Sequence, residues 1–536
     1  MERFWNAQEV MGRFEHFADR PFLIEPSIDR VLSYGETWML ACRAANMMAA
    51  RGIRPGDRVA VVLVNNAEFA AFFFGCFAMG VTLVPVNPAL HATEVDFILH
   101  ASRARAVVFS LCTRPLVLEA PRSAALEQIF LLTAQEEGLH SGEPGPIRLD
   151  DALGGQPKGW TVVAERSADE VFTMGFTSGT TSRPKGVQHR VASLFENAAA
   201  FNEVLQIGAD RVFMNVWPMA YSSGYLNNMV CAFMAGARMV IGRAFDAQSV
   251  LQFWKPVLAY GVNMIWLSPS MLAALTRVDR DSAGLAYARE RQPTFCVGTA
   301  PLPLKVKQDF EQKYGVEVYE SYGLSELLLI SANTPRYPRV PGSAGRLLSG
   351  VDVDVVGEDG ARKPAGEEGE IVVRSPWLMK GYLNVETGEA DVLSPAAPFP
   401  TGDIGRVDDA GNISITARKK DLIIRGGFNI SPRQVEDVLL DHPAVEQAAV
   451  VGIPHHFYGE EVIAFVKLRA GADMAEENGK LMTRCLQHLN RMAVPSRILA
   501  IDRFPVTSTG KIQKNELRVL LLAPASSKAA PSPTGA

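Results

Sequence analysis

Apolar, β-rich runs alternate with helical patterns over most of the chain. "DRVAVVLV" at 57–64 and "RAVVFSL" at 105–111 read as strands, and "ARMVIG" (237–242) and "VNMIWLS" (262–268) flank a stretch of helical character. Strands that alternate with helices imply parallel sheets covered on both faces. The run "FAAFFFGCFAMGVTLVPV" at 69–86 holds Gly75, Gly80 and Pro85 and turns β-branched after Gly80. It reads as a buried helix, a glycine stop and a strand, because a membrane span needs about 20 uninterrupted apolar residues.

From about residue 340 the period changes to two. "VDVDVVGEDGARKPAGEEGEIVVRSP" alternates and carries turn glycines, so it predicts antiparallel hairpins and a small barrel-like subdomain. "VEDVLLDHPAVEQAAVVGIP" (435–454) returns to helix followed by strand, and the join is expected near "ITARKKDLII" at 415–424. The fold class is therefore α/β. A large domain of parallel-rich sheets flanked by helices spans 1–418, and a small α+β domain spans 419–522. The Pro- and Ser-rich tail at 523–536 is expected to be disordered.

Composition narrows the function classes. At 536 residues the chain exceeds one ordinary core. Hydrophobic residues at 48% and charged residues at 21% describe a globular protein. A net charge of −5 gives no general pull toward nucleic acid or an anionic membrane. Six cysteines are scattered singly without a C-x-x-C pair, which argues against a disulfide framework or zinc site and fits a reducing cytosol. The N-terminal "MERFWNAQEVMGRFEHF" is charged and aromatic, so no secretory signal is read and a cytoplasmic location is expected. Oligomeric state is not legible, and a homodimer is carried as the default.

Five phrases carry candidate chemistry. "TSGTTSRPKG" (177–186) combines five hydroxyls, two glycines, a proline and a lysine after a strand-like segment. Glycines let backbone approach a ligand, and N–H groups with hydroxyls donate to phosphate oxygens. It is not a Walker loop, since Pro184 precedes the lysine and Gly186 follows it. Alone, it reads equally well as a solvated turn. "VGTAPLP" (297–303) offers a small-residue turn on which a flat ring can lie, and "YESYGLSE" (319–326) offers aromatic faces, a hydroxyl and a carboxylate. "TGDIG" (401–405) sets a carboxylate in a tight turn, where an Asx turn is the plain alternative. "PVTSTGKIQKNELR" (505–518) ends the fold with a lysine on a glycine turn.

Taken in order, these phrases together with "RKKDLIIRGGFNISP" (418–432) resemble the adenylate-forming superfamily of acyl- and aryl-CoA ligases, nonribosomal adenylation domains and luciferases. The resemblance spans about 35 to 520 and is closest to acyl-CoA ligases. It implies activation of a small carboxylic acid with ATP and Mg2+, then transfer to the thiol of CoA, with a carrier-bound phosphopantetheine arm or another nucleophile as the alternative acceptor. By this resemblance Thr177, Ser178, Gly179, Thr180, Thr181 and Lys185 wrap the β- and γ-phosphates. Gly298, Thr299, Ala300 and Pro301 line adenine, with Tyr322 on its other face. Ser325 meets the α-phosphate, Glu326 holds Mg2+, and Asp403 and Arg418 fix the ribose. Lys511 bridges the attacking carboxylate and the α-phosphate. Lys420 is the implied hinge of a small domain that rotates after adenylation, and Gly426 and Gly427 then leave a slot for pantetheine.

The chain departs from the family pattern at several points. Ser182 stands for a loop glycine, Ala417 for a glycine, Gln434 for a glutamate, and Thr299 for a second glycine. Tyr221 in "WPMAYSSGY" (217–225) stands where many CoA ligases carry histidine. The acid pocket is expected near Tyr221, Tyr225, Val297 and the "LLLI" run that begins at Leu327. Its apolar character favours a fatty or aromatic acid, although core leucines explain "LLLI" equally well. A catalytically silent nucleotide-binding protein is the competing class, and the presence of Lys185, Glu326, Asp403, Arg418 and Lys511 argues against it.

Overall fold

The computed structural model describes residues 7–118, 126, 128–132, 147–148, 167–177, 184–394, 397–507 and 511–522. Two compact units emerge: residues 1–401 with 405–415, and residues 402–404 with 416–536.

The first unit is built on two nine-stranded sheets. In one of them, Arg58–Val62 lies between Thr82–Pro85 and Ala106–Ser110, all parallel. These strands are buried almost throughout, which is why they read as continuous apolar runs without alternation. Thr82–Pro85 also pairs parallel with Val171–Thr177, after which the sheet turns antiparallel through Lys185–Arg190 and Gly381–Leu383. The other large sheet runs parallel from Pro21–Glu25 through Arg238–Ile241, Val212–Asn215, Met264–Leu267 and Thr294–Val297 to Val318–Leu324. It then reverses into Leu328–Ala332.

The ambiguous apolar run resolves as read. A helix spans Ala67–Met79, with the Asn66 side chain accepting from the Phe69 N–H at one end and Gly80 in the left-handed region at the other. A strand follows at Thr82–Pro85. At Gly75 an added Cβ would come within 2.9 Å of the Ala41 carbonyl oxygen, so glycine sets the close crossing of this helix with Tyr34–Ala50. Phe73 and Phe74 pack here with Phe14, Tyr34 and Phe233, each buried phenylalanine contributing about 2–3 kcal/mol. Among the described residues no helix is long and apolar enough to cross a membrane.

The alternating segment forms the expected hairpin, Asp352–Val356 against Gly369–Arg374. Phe399–Val407 and Ile413–Arg418 complete a four-stranded sheet. Its strands run in the order Asp352–Val356, Gly369–Arg374, Phe399–Val407, Ile413–Arg418. Period-two alternation encodes which face of each strand is covered.

The second unit is α+β. Val445–His455 and Gly459–Leu468 form its long central pair; Ile423–Arg425, which pairs in turn with Phe428–Ile430, and Arg497–Ala500 both join Gly459–Leu468, at Gly459 and at 463–466 respectively. Alternate side chains enter opposite cores: Val450 packs with Ile423, Val435 and Leu481, while Val451 packs with Ile463, Phe504 and Leu517.

Candidate active site

In the first unit, Val171–Thr177 and Lys185–Arg190 pair antiparallel with Thr177 opposite Lys185. The two ends of the hydroxyl-rich phrase therefore lie on paired strands rooted in the large sheet. Thr177 and Lys185 close that pairing; Ser178, Gly179, Thr180, Thr181 and Ser182 lie outside the described residues.

The Lys185 ammonium sits 4.8 Å from the centre of the Tyr382 ring. Tyr382 lies on Gly381–Leu383, directly across from Val187 of the same strand pair. Its hydroxyl donates to Glu326 Oε1 at 2.8 Å. Burial first, and then the Glu326 charge, push the phenol well above its ordinary pKa, which keeps it a donor.

Glu326 occupies the turn between Val318–Leu324 and Leu328–Ala332. The Leu327 N–H donates to the Leu324 carbonyl at 3.2 Å, and Leu328 is left-handed at φ 59°. Glycine is required at 323, where a Cβ would lie 2.3 Å from the Leu328 carbonyl oxygen. Two further bonds hold this turn. His189 Nε2 donates to the Ser325 carbonyl at 2.6 Å, and the Met379 N–H donates to the Glu326 carbonyl at 2.8 Å. Burial lowers the His189 pKa to about 4, so the ring is neutral at pH 7.

Val297 pairs with Glu320, so the 298–301 turn and Tyr322 leave adjacent strands. A Cβ at Gly298 would lie 2.8 Å from Ser321 Oγ, hence the glycine. Thr299 adopts φ 73°, the left-handed conformation of the glycine it replaces. Four of the six described non-glycine residues with positive φ (Asp29, Arg103, Gln206 and Gln292) follow helix ends. The other two, Thr299 and Leu328, border this site, where β-branched or bulky side chains at positive φ mark stored strain.

The second unit gathers Asp403, Arg418, Lys420 and Lys511. The buried Asp403 carboxylate pairs with Arg418 Nε at 2.6 Å. Lys511 sits beside a small antiparallel bridge between Val506 and Ile512. Desolvation, then repulsion by Arg418 and Lys420, lower its pKa, with Asp403 opposing. Lys420 belongs to the short 3-10 turn Lys419–Asp421. Gly426 and Gly427, at φ 58° and 82°, link Arg425 to Phe428 in a two-residue hairpin turn that demands positive φ at both positions. Turn geometry alone accounts for both glycines.

Tyr221 shares a small cleft with Asn87, Leu90, Ile98, Phe176 and Thr177, and accepts from Asn87 Nδ2 at 3.3 Å. Tyr225, Val297 and Leu327 do not line this cleft. They are buried in three separate packing clusters. Tyr382, His189 and Asn87 escaped the sequence reading, because each stands in an unremarkable strand or loop and gains meaning only from its neighbour.

The lone carboxylate of Glu326 fits Mg2+, which is held by one or two carboxylates together with substrate phosphates and water and needs no protein cage. No cluster of three acidic, histidine or cysteine side chains suited to a metal occurs among the described residues.

A family model for AMP-binding enzymes matches residues 12–383, and one for the AMP-binding enzyme C-terminal domain matches 434–511. The chain belongs to the AMP-binding enzyme family. It is 32% identical over 506 residues to the long-chain-fatty-acid–CoA ligase of Mycobacterium tuberculosis, covering 92% of this chain and 94% of that protein. It is 30% identical over 512 residues to the sulfoacetate–CoA ligase of Cupriavidus necator, covering 95% and 96%. The solved structure of ATP-bound MatB from Rhodopseudomonas palustris matches with a TM-score of 0.82 at 27% identity, over 96% of this chain and 99% of that one.

Proposed function

We propose that this chain activates a carboxylic acid with ATP, forming an acyl-adenylate and pyrophosphate, and then transfers the acyl group to the thiol of CoA, releasing AMP. Beyond family membership, the observation that carries this reading is the cluster in which Lys185 and Glu326 flank one tyrosine, a cation for phosphate beside a carboxylate for a metal.

The chemistry explains the residue types. A carboxylate and a triphosphate repel each other, so attack at the α-phosphorus requires both anions to be neutralised and aligned. In this reading Thr177 and Lys185 hold the β- and γ-phosphates, Ser325 the α-phosphate, and Asp403 with Arg418 the ribose. Lys511 contributes its positive charge to the attacking carboxylate and the α-phosphate. Mg2+ bound at Glu326 supplies further charge neutralisation.

The acid is a fatty or aromatic one with an apolar body. Leu90, Ile98 and Phe176 line the small cleft beside Tyr221. The test is exchange of labelled pyrophosphate into ATP over a panel of fatty, aromatic and sulfonated acids. Exchange confined to apolar acids, followed by thioester formation with free CoA, is the expected result. Exchange with no acid would overturn the activity; thioester formed only on a carrier protein's pantetheine would overturn the choice of CoA.

A further inference from the structure

Lys185 and Glu326 lie 141 positions apart in sequence and belong to different sheets, yet both touch Tyr382. The ring face receives the Lys185 ammonium at 4.8 Å, and the hydroxyl donates to Glu326 Oε1 at 2.8 Å. Tyr382 is itself fixed. Its strand pairs with the strand that carries Lys185, at Gly381–Gln188 and Tyr382–Val187. Just before it, the Met379 N–H holds the Glu326 carbonyl and the Lys380 N–H holds the Gln188 carbonyl at 2.7 Å. One short strand therefore grips that strand and the turn together. Gly186 contributes as well, because a Cβ there would lie 3.0 Å from Leu383 Cβ.

We propose that Tyr382 is a positioning residue that sets the spacing between the phosphate-binding lysine and the metal-binding carboxylate, resting on the functional reading above. A cation over an aromatic face is held without losing hydrogen-bond donors, so the ammonium keeps all three N–H groups for a phosphate. A single hydrogen bond to Oε1 orients the Glu326 carboxylate and leaves Oε2 for a cation. Neither partner has to be ordered when nucleotide arrives, so the entropic cost of binding falls.

Two variants separate the two contacts. Tyr382→Phe keeps the ring beneath Lys185 and deletes the donor to Glu326; Tyr382→Leu deletes both. Binding of α,β-methylene-ATP to the full chain is measured by calorimetry at a series of Mg2+ concentrations, with thermal unfolding recorded for each protein. Tyr382→Phe is expected to raise the Mg2+ midpoint by about tenfold, the size of one hydrogen bond to a charged group, while metal-free nucleotide affinity stays at the wild-type value. Tyr382→Leu is expected to show the same shift and also to weaken metal-free binding by about threefold, as a lost exposed cation–π contact does. KM for the acid should stay unchanged in both.

A Tyr382→Phe protein with the wild-type Mg2+ midpoint would overturn the proposal. So would a parallel loss of acid affinity, nucleotide affinity and thermal stability in both variants, the signature of a ring that only packs. Wild-type protein that binds no nucleotide at any Mg2+ concentration would overturn the functional reading itself, and this proposal with it.

Discussion

At the scale of single residues, His189 shows how burial turns an ordinary side chain into a fixed donor. Its ring is neutral because charging it inside the sheet is costlier than charging it in water, which lowers its pKa from 6.5 to about 4. In the unfolded chain the same ring takes a proton at its ordinary value. Between those two values the unfolded chain binds more protons than the folded one, so stability is full above pH 6.5 and falls as pH drops toward 4. The integrated effect is about 3 kcal/mol. His189→Gln keeps an N–H for the Ser325 carbonyl without a titrating group, so its stability should lose that part of the slope. Thermal unfolding of both proteins from pH 7 to pH 4 measures the difference, and superimposable profiles would refute the assignment.

At the scale of elements, the Gly426–Gly427 turn has a conformational requirement that precedes any role in a thiol channel. Gly427→Ala meets no atom within 4 Å, so its only penalty is the left-handed backbone, about 1–2 kcal/mol. Gly427→Asn should cost less, since asparagine tolerates that region. Gly426→Ala should cost more than Gly427→Ala, because the new Cβ would meet Met492 Cε at 2.8 Å. Denaturant midpoints of the three variants test the ranking. If the turn variants lose stability yet keep full thioester formation, the glycines serve the hairpin alone.

At the scale of the whole molecule, the proposed reaction asks one acyl carbonyl to meet first a lysine and then a thiol. Lys511 is proposed to meet the first demand, and Lys420, as the proposed hinge, the change between them. Lys511→Ala is expected to lower pyrophosphate release by orders of magnitude, while thioester formation from supplied acyl-adenylate stays near wild type. Lys420→Pro fixes φ near −65° and is expected to show the converse pattern, adenylation kept and thioester formation lost. Separate assays of the two half-reactions decide this. Equal loss of both halves in Lys420→Pro would remove its hinge role.

Much of the architecture follows from the sequence alone, because hydrophobic period and glycine position are local signals. Residues 69–86 read as helix, stop and strand from composition, and they fold that way. The hairpin at 352–374 and the helix-to-strand passage at 432–455 were equally plain. The short motifs also carried the family, since the order of several chemically constrained turns survives at low overall identity. What the sequence did not contain was proximity. Nothing in "KGYLN" announces that Tyr382 bridges Lys185 and Glu326, because that contact exists only once Gly381–Leu383 has paired with Lys185–Arg190. Tyr225, Val297 and Leu327 likewise read as apolar pocket candidates, and packing places each in a hydrophobic cluster of its own. Period and turn chemistry act within a few residues, whereas a binding site is a product of strand pairing between distant segments, and only the tertiary fold decides which side chains meet.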